Sequence, residues 1–387
     1  MAHPSPPRVL FLFLQAFLLT GGIEKVNRVL LLALYDLQQS GRLTARGLSP
    51  YSIGTDTRYF PNHQLRGYGG QRWRFMFDLL WRPFPVDILL VGHINLAPAV
   101  WLLKRRYPKL KVVVMAHGIE VWPPLQGLKR WLLGGADQIL AVSQYTRQRI
   151  IENGLSPERI QVLPNCLDPY LEPPQELSKP VYLLERYGVR PDQKVLLTIA
   201  RLNAHEGYKG YDRVLDSLST LRKEFPNLRY ILAGKYDTSE KMRLDTIIDR
   251  LQIRDHVLFT GFLPDSEVMD HYRLADAFIM PSKKEGFGLV FIEAMACGTP
   301  AIGGNLDGSP EALRPGELGY TTNPDDSDAI VETITQVLRD PPEAEKLQRK
   351  TLSIFGYAAY RERLATALQL SATINVPTPC PPLLRHV

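Results

Sequence analysis

Short apolar runs alternate with amphipathic stretches along most of the chain. Val9–Phe13, Ile88–Val91, Val112–Ala116, Gln138–Val142 and Ile160–Leu163 are brief aliphatic segments without a polar face. Such runs predict strands covered on both sides, as in a parallel sheet. Between them, Glu24–Gln39, Leu96–Tyr107, Gln126–Leu133 and Gln144–Glu152 repeat their apolar residues at helical spacing. Pro164–Lys179 then breaks the alternation with four prolines and reads as an interdomain linker. The pattern resumes with strands at Lys194–Ala200, Arg229–Ala233, Val257–Thr260, Ala277–Met280 and Pro300–Gly303. Helices are expected at Tyr211–Phe225, Glu267–Leu274, after Gly288, at Ser327–Leu338, at Pro342–Phe355 and at Gly356–Leu370. The expectation is an α/β protein of two doubly wound parallel-sheet domains facing across a cleft. Its bounds are 1–170 for the first domain, 171–187 for the linker and 188–355 for the second domain. A C-terminal helix at 356–370 is expected to return to the first domain, and a Pro-rich tail at 371–387 is expected to be disordered.

Composition narrows the class. With 387 residues, 45% hydrophobic and 22% charged, the chain is long enough for two real cores. Cys166, Cys297 and Cys380 are too few and too scattered for a disulfide framework or a zinc site, which fits a reducing, cytoplasmic location. The apolar run Val9–Leu19 contains Gln15 and leads to Gly21-Gly22; it is too short for a spanning helix, which needs about 20 residues. No A-x-A-like cleavage site follows, so a buried strand and a glycine turn are expected there. Charge is uneven. Residues 1–170 carry 20 Lys and Arg against 10 Asp and Glu, whereas the remaining 217 carry 26 against 30.

The most informative segment is Glu285-Gly-Phe-Gly-Leu-Val-Phe-Ile-Glu293, continuing to Pro300. A strand ends before it, a polar loop carries Glu285, and a helix follows from about Leu289. Free amides at that helix start form an anion site, and Gly286 and Gly288 let a phosphate approach the backbone. Glu293 sits on the second turn among apolar neighbours and needs a partner. In the second segment, Arg201 follows a strand end and Lys209 precedes a helix. Ligands of open α/β sheets bind at such carboxyl ends, where an Arg fork and a Lys point charge suit a diphosphate. Gly21 and Gly22 form a weaker phosphate-type turn without G-x-G-x-x-G. His117 beside Gly118 ends a strand and points toward the cleft; His93 has a similar setting. Asp326-Ser327-Asp328 reads as a helix N-cap rather than a metal motif.

Taken in order, these residues resemble the retaining glycosyltransferases of family four, whose GT-B architecture is two facing Rossmann-like domains. The resemblance covers most of residues 8–370 and rests on Gly21-Gly22, His117-Gly118, Ala200-Arg201-Leu202 with Lys209-Gly210, Gly261-Phe262-Leu263 and Glu285 to Pro300. It implies a hexosyltransferase that takes a UDP- or GDP-linked sugar as donor substrate, with no cofactor and no metal. Arg201 and Lys209 would hold the diphosphate, Glu285 the donor sugar hydroxyls, and Glu293 the ribose. Backbone amides of Gly286, Phe287, Gly288 and Leu289 would lie by sugar and phosphate, and Leu263 by the base. His117 would face the reacting side of the sugar, and Gly21 and Gly22 would close over phosphates or acceptor. Arg201 and Lys209 are eight positions apart where many relatives have about five, so the insert Asn203–Gly207 makes Lys209 the less secure of the two.

The acceptor implied is a glycan or a lipid-linked sugar, in polysaccharide or glycolipid biosynthesis. A GT-B-shaped phosphorylase or a non-catalytic nucleotide-sugar-binding subunit remains as an alternative. A dinucleotide oxidoreductase does not fit, since the glycine fingerprint and its acidic partner are missing. Basic residues Arg66, Arg72, Arg74, Arg82, Lys104, Arg105, Arg106, Lys109 and Lys111 accompany Trp73, Phe75, Phe77, Trp81 and Trp101. That mixture suits peripheral attachment to an anionic inner membrane face, a surface for an anionic soluble glycan, or a solvated basic face; no motif supports nucleic acid.

Overall fold

A computed structural model describes residues 5–18 and 21–370. The expected disordered tail at 371–387 lies outside the described residues. The first half runs β1 (Arg8–Leu12), α1 (Gly22–Gln39), β2 (Thr44–Ser49), β3 (Leu65–Gly67), α2 (Arg72–Trp81), β4 (Ile88–Val91), α3 (Ala97–Arg106), β5 (Lys111–Ala116), α4 (Gly127–Gly135), β6 (Gln138–Ala141), α5 (Gln144–Glu152) and β7 (Ile160–Val162). The second runs α6 (Val181–Tyr187), β8 (Val195–Ile199), α7 (Tyr211–Glu224), β9 (Arg229–Ala233), α8 (Thr238–Leu251), β10 (Val257–Gly261), α9 (Asp265–Leu274), β11 (Ala277–Met280), α10 (Leu289–Ala296), β12 (Ala301–Gly304), α11 (Ser309–Leu313), β13 (Tyr320–Thr322), α12 (Ser327–Arg339), α13 (Ala344–Phe355) and α14 (Tyr357–Ala367).

The strands form two parallel sheets, ordered β3-β2-β1-β4-β5-β6-β7 and β10-β9-β8-β11-β12-β13. In both, the order reverses beside the first strand, and the crevice at that switch point lies at the carboxyl ends of the strands. β4 and β5 are buried along almost their whole length because helices cover both faces, which is why their sequences show no polar alternation. β2 escapes the apolar pattern: Thr44 and Arg46 are exposed and Gly47 interrupts the side chains. α8 begins with Asp237 accepting from the Glu240 amide at 2.7 Å. Asp326 caps α12 by accepting from the amides of Asp328 and Ala329, as read from sequence.

The chain crosses between the layers twice. Residues 163–180 are irregular, and α6 already belongs to the second domain, with Leu183 and Leu184 in its core. The linker expected at 171–187 therefore stops short of Val181, because burying those two leucines favours a packed helix. The return crossing is at Gly356. α14 then packs on α1, with Tyr360, Leu364 and Ala365 in one core with Phe11 and Leu30. Tyr357 donates to Asp36 at 2.6 Å. The two crossings lie side by side, the Leu167 amide donating to the Phe355 carbonyl at 3.0 Å.

Candidate active site

Three contacts join the two domains around the crevice. Lys25, in the first turn of α1, reaches Glu293 on α10 at 2.5 Å. Glu311 on α11 accepts from the Gln144 and Tyr145 amides at 2.7 and 2.9 Å, so an acid of the second domain caps α5 of the first. Burial pushes the Glu311 carboxyl above its usual range, against the pull of those two amides. The third contact is backbone on backbone. A Cβ at Gly286 would lie 1.8 Å from the His117 carbonyl oxygen, and one at Gly118 would lie 2.8 Å from Gly286 Cα. Glycine is required on both sides of that approach.

Between these contacts is a cavity lined by Gly22, Lys25, His117, Asn165, Lys209, Glu285 and the Gly286–Val290 segment. The Lys209 side chain is half-buried, its ammonium 2.8 Å from Glu285 Oε1. Burial disfavours its charge, but the charge and hydrogen bond of Glu285 outweigh this, and the net shift is upward. Lys209 is therefore a fixed cation at neutral pH. Gly288, with φ of 89°, turns the chain into α10, leaving the first amides of that helix toward the cavity. Across from them is His117. Its Nε2 is 2.8 Å from the Gly92 carbonyl; a carbonyl only accepts, so Nε2 carries a proton, and in the neutral ring Nδ1 then has the lone pair. Nδ1 of His117 and Oδ1 of Asn165 are buried without a hydrogen-bond partner among the described residues. Two acceptors and a cation thus converge beside a helix N-terminus, which suits a polyhydroxy compound carrying phosphate.

Two family models match the chain. One, described as Glycosyltransferase Family 4, covers residues 28–170, and one described as Glycosyl transferases group 1 covers 184–353. The GDP-mannose-dependent alpha-(1-6)-phosphatidylinositol monomannoside mannosyltransferase of Mycolicibacterium smegmatis is 32% identical over 274 residues, 67% of this chain and 69% of that protein. The chain belongs to the group 1 glycosyltransferases. The N-acetyl-alpha-D-glucosaminyl L-malate synthase of Bacillus anthracis is 28% identical over 264 residues, 66% of each chain. Among solved structures, Anabaena HepE in complex with UDP and glucose superposes with a TM-score of 0.73 at 21% identity, over 94% of this chain and 99% of that one. The fold is GT-B.

Of the residues read from sequence, this glycosyltransferase brings Gly22, His117, Lys209, Glu285, Gly286, Phe287, Gly288 and Leu289 to one cavity. Gly21 stands just outside as the residue before α1. Leu263 is buried in the second core rather than in the cavity. Glu293 has the partners its apolar surroundings demand, Lys25 and, at 3.1 Å, the Tyr272 hydroxyl.

The two cations are placed differently, each beside a carboxylate. Lys209 faces the cavity despite the insert, while Arg201 is 77% exposed and pairs with Glu206 at 2.7 Å. Glu206 belongs to the insert itself, which thus supplies a competing carboxylate to the arginine instead of displacing the lysine. Lys25, Asn165, Asp307 and Glu311 are absent from the sequence reading. For Lys25 and Glu311 no local signal exists, since their partners lie in the other domain. For Asn165, the helix-breaking Pro164 draws attention to the linker and away from the side chain.

Asp307 holds the Glu285 loop. One oxygen accepts from the Glu285 amide at 2.7 Å and the other from the Ser309 amide at 2.9 Å. Burial pushes its carboxyl up to about 6, partly offset by these amides. Protonation turns one acceptor into a donor facing an amide, so the loop loosens as pH falls. Turnover is expected to show an acidic limb with a midpoint near 6, and Asp307→Asn to remove that limb at a lower plateau. A wild-type kcat profile flat through this region would contradict the assignment.

Proposed function

We propose that this glycosyltransferase is a retaining, metal-independent hexosyltransferase that moves a sugar from a UDP- or GDP-linked donor to a glycan or lipid-linked acceptor, at the cytoplasmic face of a membrane, in polysaccharide or glycolipid biosynthesis. The observation that carries this reading is the half-buried Lys209 cation beside the α10 amides, opposite the His117 ring. Breaking the sugar–phosphate bond leaves an oxocarbenium-like carbon and a diphosphate anion. Lys209 and the helix amides stabilise that anion by preorganised charge, and Arg201 joins them on leaving Glu206. Nδ1 of His117 accepts from a donor sugar hydroxyl, and Glu285 from others. A departing phosphate oxygen takes the acceptor proton on the same face, which retains configuration and makes a separate base unnecessary. The mycolicibacterial relative is named for GDP-mannose and a phosphatidylinositol acceptor, which supports a lipid-linked acceptor here.

Incubation with a panel of nucleotide sugars, with and without chelator, tests the proposal by slow donor hydrolysis. One donor is expected to be consumed, without phosphate and despite chelator, with the anomeric configuration kept. Consumption only with added phosphate would make the chain a phosphorylase.

The two glutamates separate in binding. If the ribose pairs with Glu293, the nucleotide replaces the Lys25 ion pair by hydroxyl hydrogen bonds. Glu293→Gln is expected to weaken calorimetric binding of the bare nucleoside diphosphate, whereas Glu285→Gln leaves it roughly unchanged and lowers transfer. Equal affinity in both variants would remove the ribose from Glu293.

A further inference from the structure

The outer face of α2 is apolar and uncovered. Trp73 is 70% exposed, Phe77 58%, Leu80 42% and Trp81 65%. These positions follow at four, seven and eight residues from the first, so they share one side of the helix. The inner side is separately satisfied, with Phe75 and Leu79 buried in the first core. Phe75 therefore leaves the surface group expected from sequence. A monomeric surface rarely shows so large an apolar stripe without a use.

Charge tells what the stripe meets. The helix has one acid, Asp78, and it points inward. Tyr68 donates to it at 2.8 Å, and Arg66 and Arg82 pair with it at 2.7 and 3.2 Å. Arg72 and Arg74 are left exposed without an acidic partner among the described residues; Arg72 lies over the Tyr51 ring and Arg74 bonds Gln71. On the adjacent α3, Arg105 lies over the half-exposed Trp101. Along α2 and α3 the surface thus sets large aromatics beside arginines. An acidic soluble partner would be met by the arginines but would leave four large apolar side chains in water. An anionic bilayer satisfies both, with rings at the headgroup level and arginines on the phosphates.

The helix is held rigidly for this. Arg106 donates to the carbonyls of Leu79, Leu80 and Arg82 at the end of α2. Its direction is also fixed. α2 connects the parallel strands β3 and β4, so it runs back against them and its first turn stands at their carboxyl ends, the same end of the sheet as Gly22 and His117.

We infer that α2 is a membrane-docking helix, inserting Trp73, Phe77, Leu80 and Trp81 into an anionic lipid surface with Arg72 and Arg74 on its headgroups. This rests on the membrane-side reading above and names the element that performs it.

The test is flotation of the full chain with vesicles of phosphatidylcholine, alone or mixed with phosphatidylglycerol. Binding is expected only with the anionic lipid, and added salt should weaken it. Arg72→Gln with Arg74→Gln should lower partitioning roughly 30-fold, from about fivefold per charge. Trp73→Ser with Phe77→Ser and Trp81→Ser should abolish it, with donor hydrolysis and melting temperature unchanged. Wild-type protein that hydrolyses donor but ignores anionic vesicles overturns the docking helix and leaves sugar transfer standing. Protein that floats through α2 but consumes no nucleotide sugar supports the helix and defeats the functional reading. A lipid-free dimer that the serine variant turns into a monomer, without vesicle binding, also overturns it by giving the stripe to a second copy.

Discussion

Lys209→Ala is expected to lower turnover by about 10²–10³, the range found for removing one preorganised donor to a developing anion. Three features concentrate the effect at this residue. The side chain is half-buried, so its field is less screened than that of a surface cation. Its upward shift keeps it charged at working pH. Its pairing with Glu285 fixes it in place. Arg201→Ala is expected to act in the same direction, although the arginine first has to exchange Glu206 for phosphate. The check is kcat at saturating donor, with a thermal melt to show that the fold survives. Near-normal turnover in Lys209→Ala, or loss of wild-type activity in chelator, would remove the metal-free leaving-group role.

The second large effect is expected from one methyl group. Gly286 is not in the left-handed region, so alanine meets no backbone strain there. The obstacle is the His117 carbonyl, 1.8 Å from the added Cβ. That distance is far inside van der Waals contact, and both atoms are held by the backbone. The domains must separate, and with them the His117 side of the cavity leaves the Lys209 side. A misplacement of about 1 Å costs on the order of 10² in rate, and that loss is expected for Gly286→Ala. Small-angle scattering should show a larger radius of gyration. Gly54→Ala, where an added Cβ meets nothing within 4 Å, is the control expected to change neither quantity. Full activity in Gly286→Ala would mean that catalysis does not require this closed contact.

Strands such as Ile88–Val91 and Ala277–Met280 are legible in the sequence because both their faces are buried. An unbroken apolar run is the direct record of that burial. α2 is not legible as a helix for the opposite reason. It is apolar inside at Phe75 and Leu79 and apolar outside at Trp73, Phe77 and Trp81, so no amphipathic period survives. α8 does carry a signal, the Asp237-to-Glu240 cap followed by Leu244 and Ile248 at helical spacing, but the sequence reading stops short of it. In the site, the Glu285–Glu293 segment is legible because loop, glycines and helix are contiguous. The Lys25–Glu293 pair is not, because 268 positions separate its members and only domain closure joins them. Spacing between Arg201 and Lys209 does not reveal that the insert sets Glu206 beside the arginine.

The adjoining crossings at Leu167 and Phe355 have a mechanical consequence. A single connecting strand would act as a tether and leave the two halves free to twist as well as to open. Two crossings joined by a hydrogen bond define an axis, about which rotation is the softest motion left. An opening about that axis would follow one arc, and its return would set Gly118 against Gly286 and Glu311 against α5. The alignment of the two halves is thus set by the chain itself, at its paired crossings.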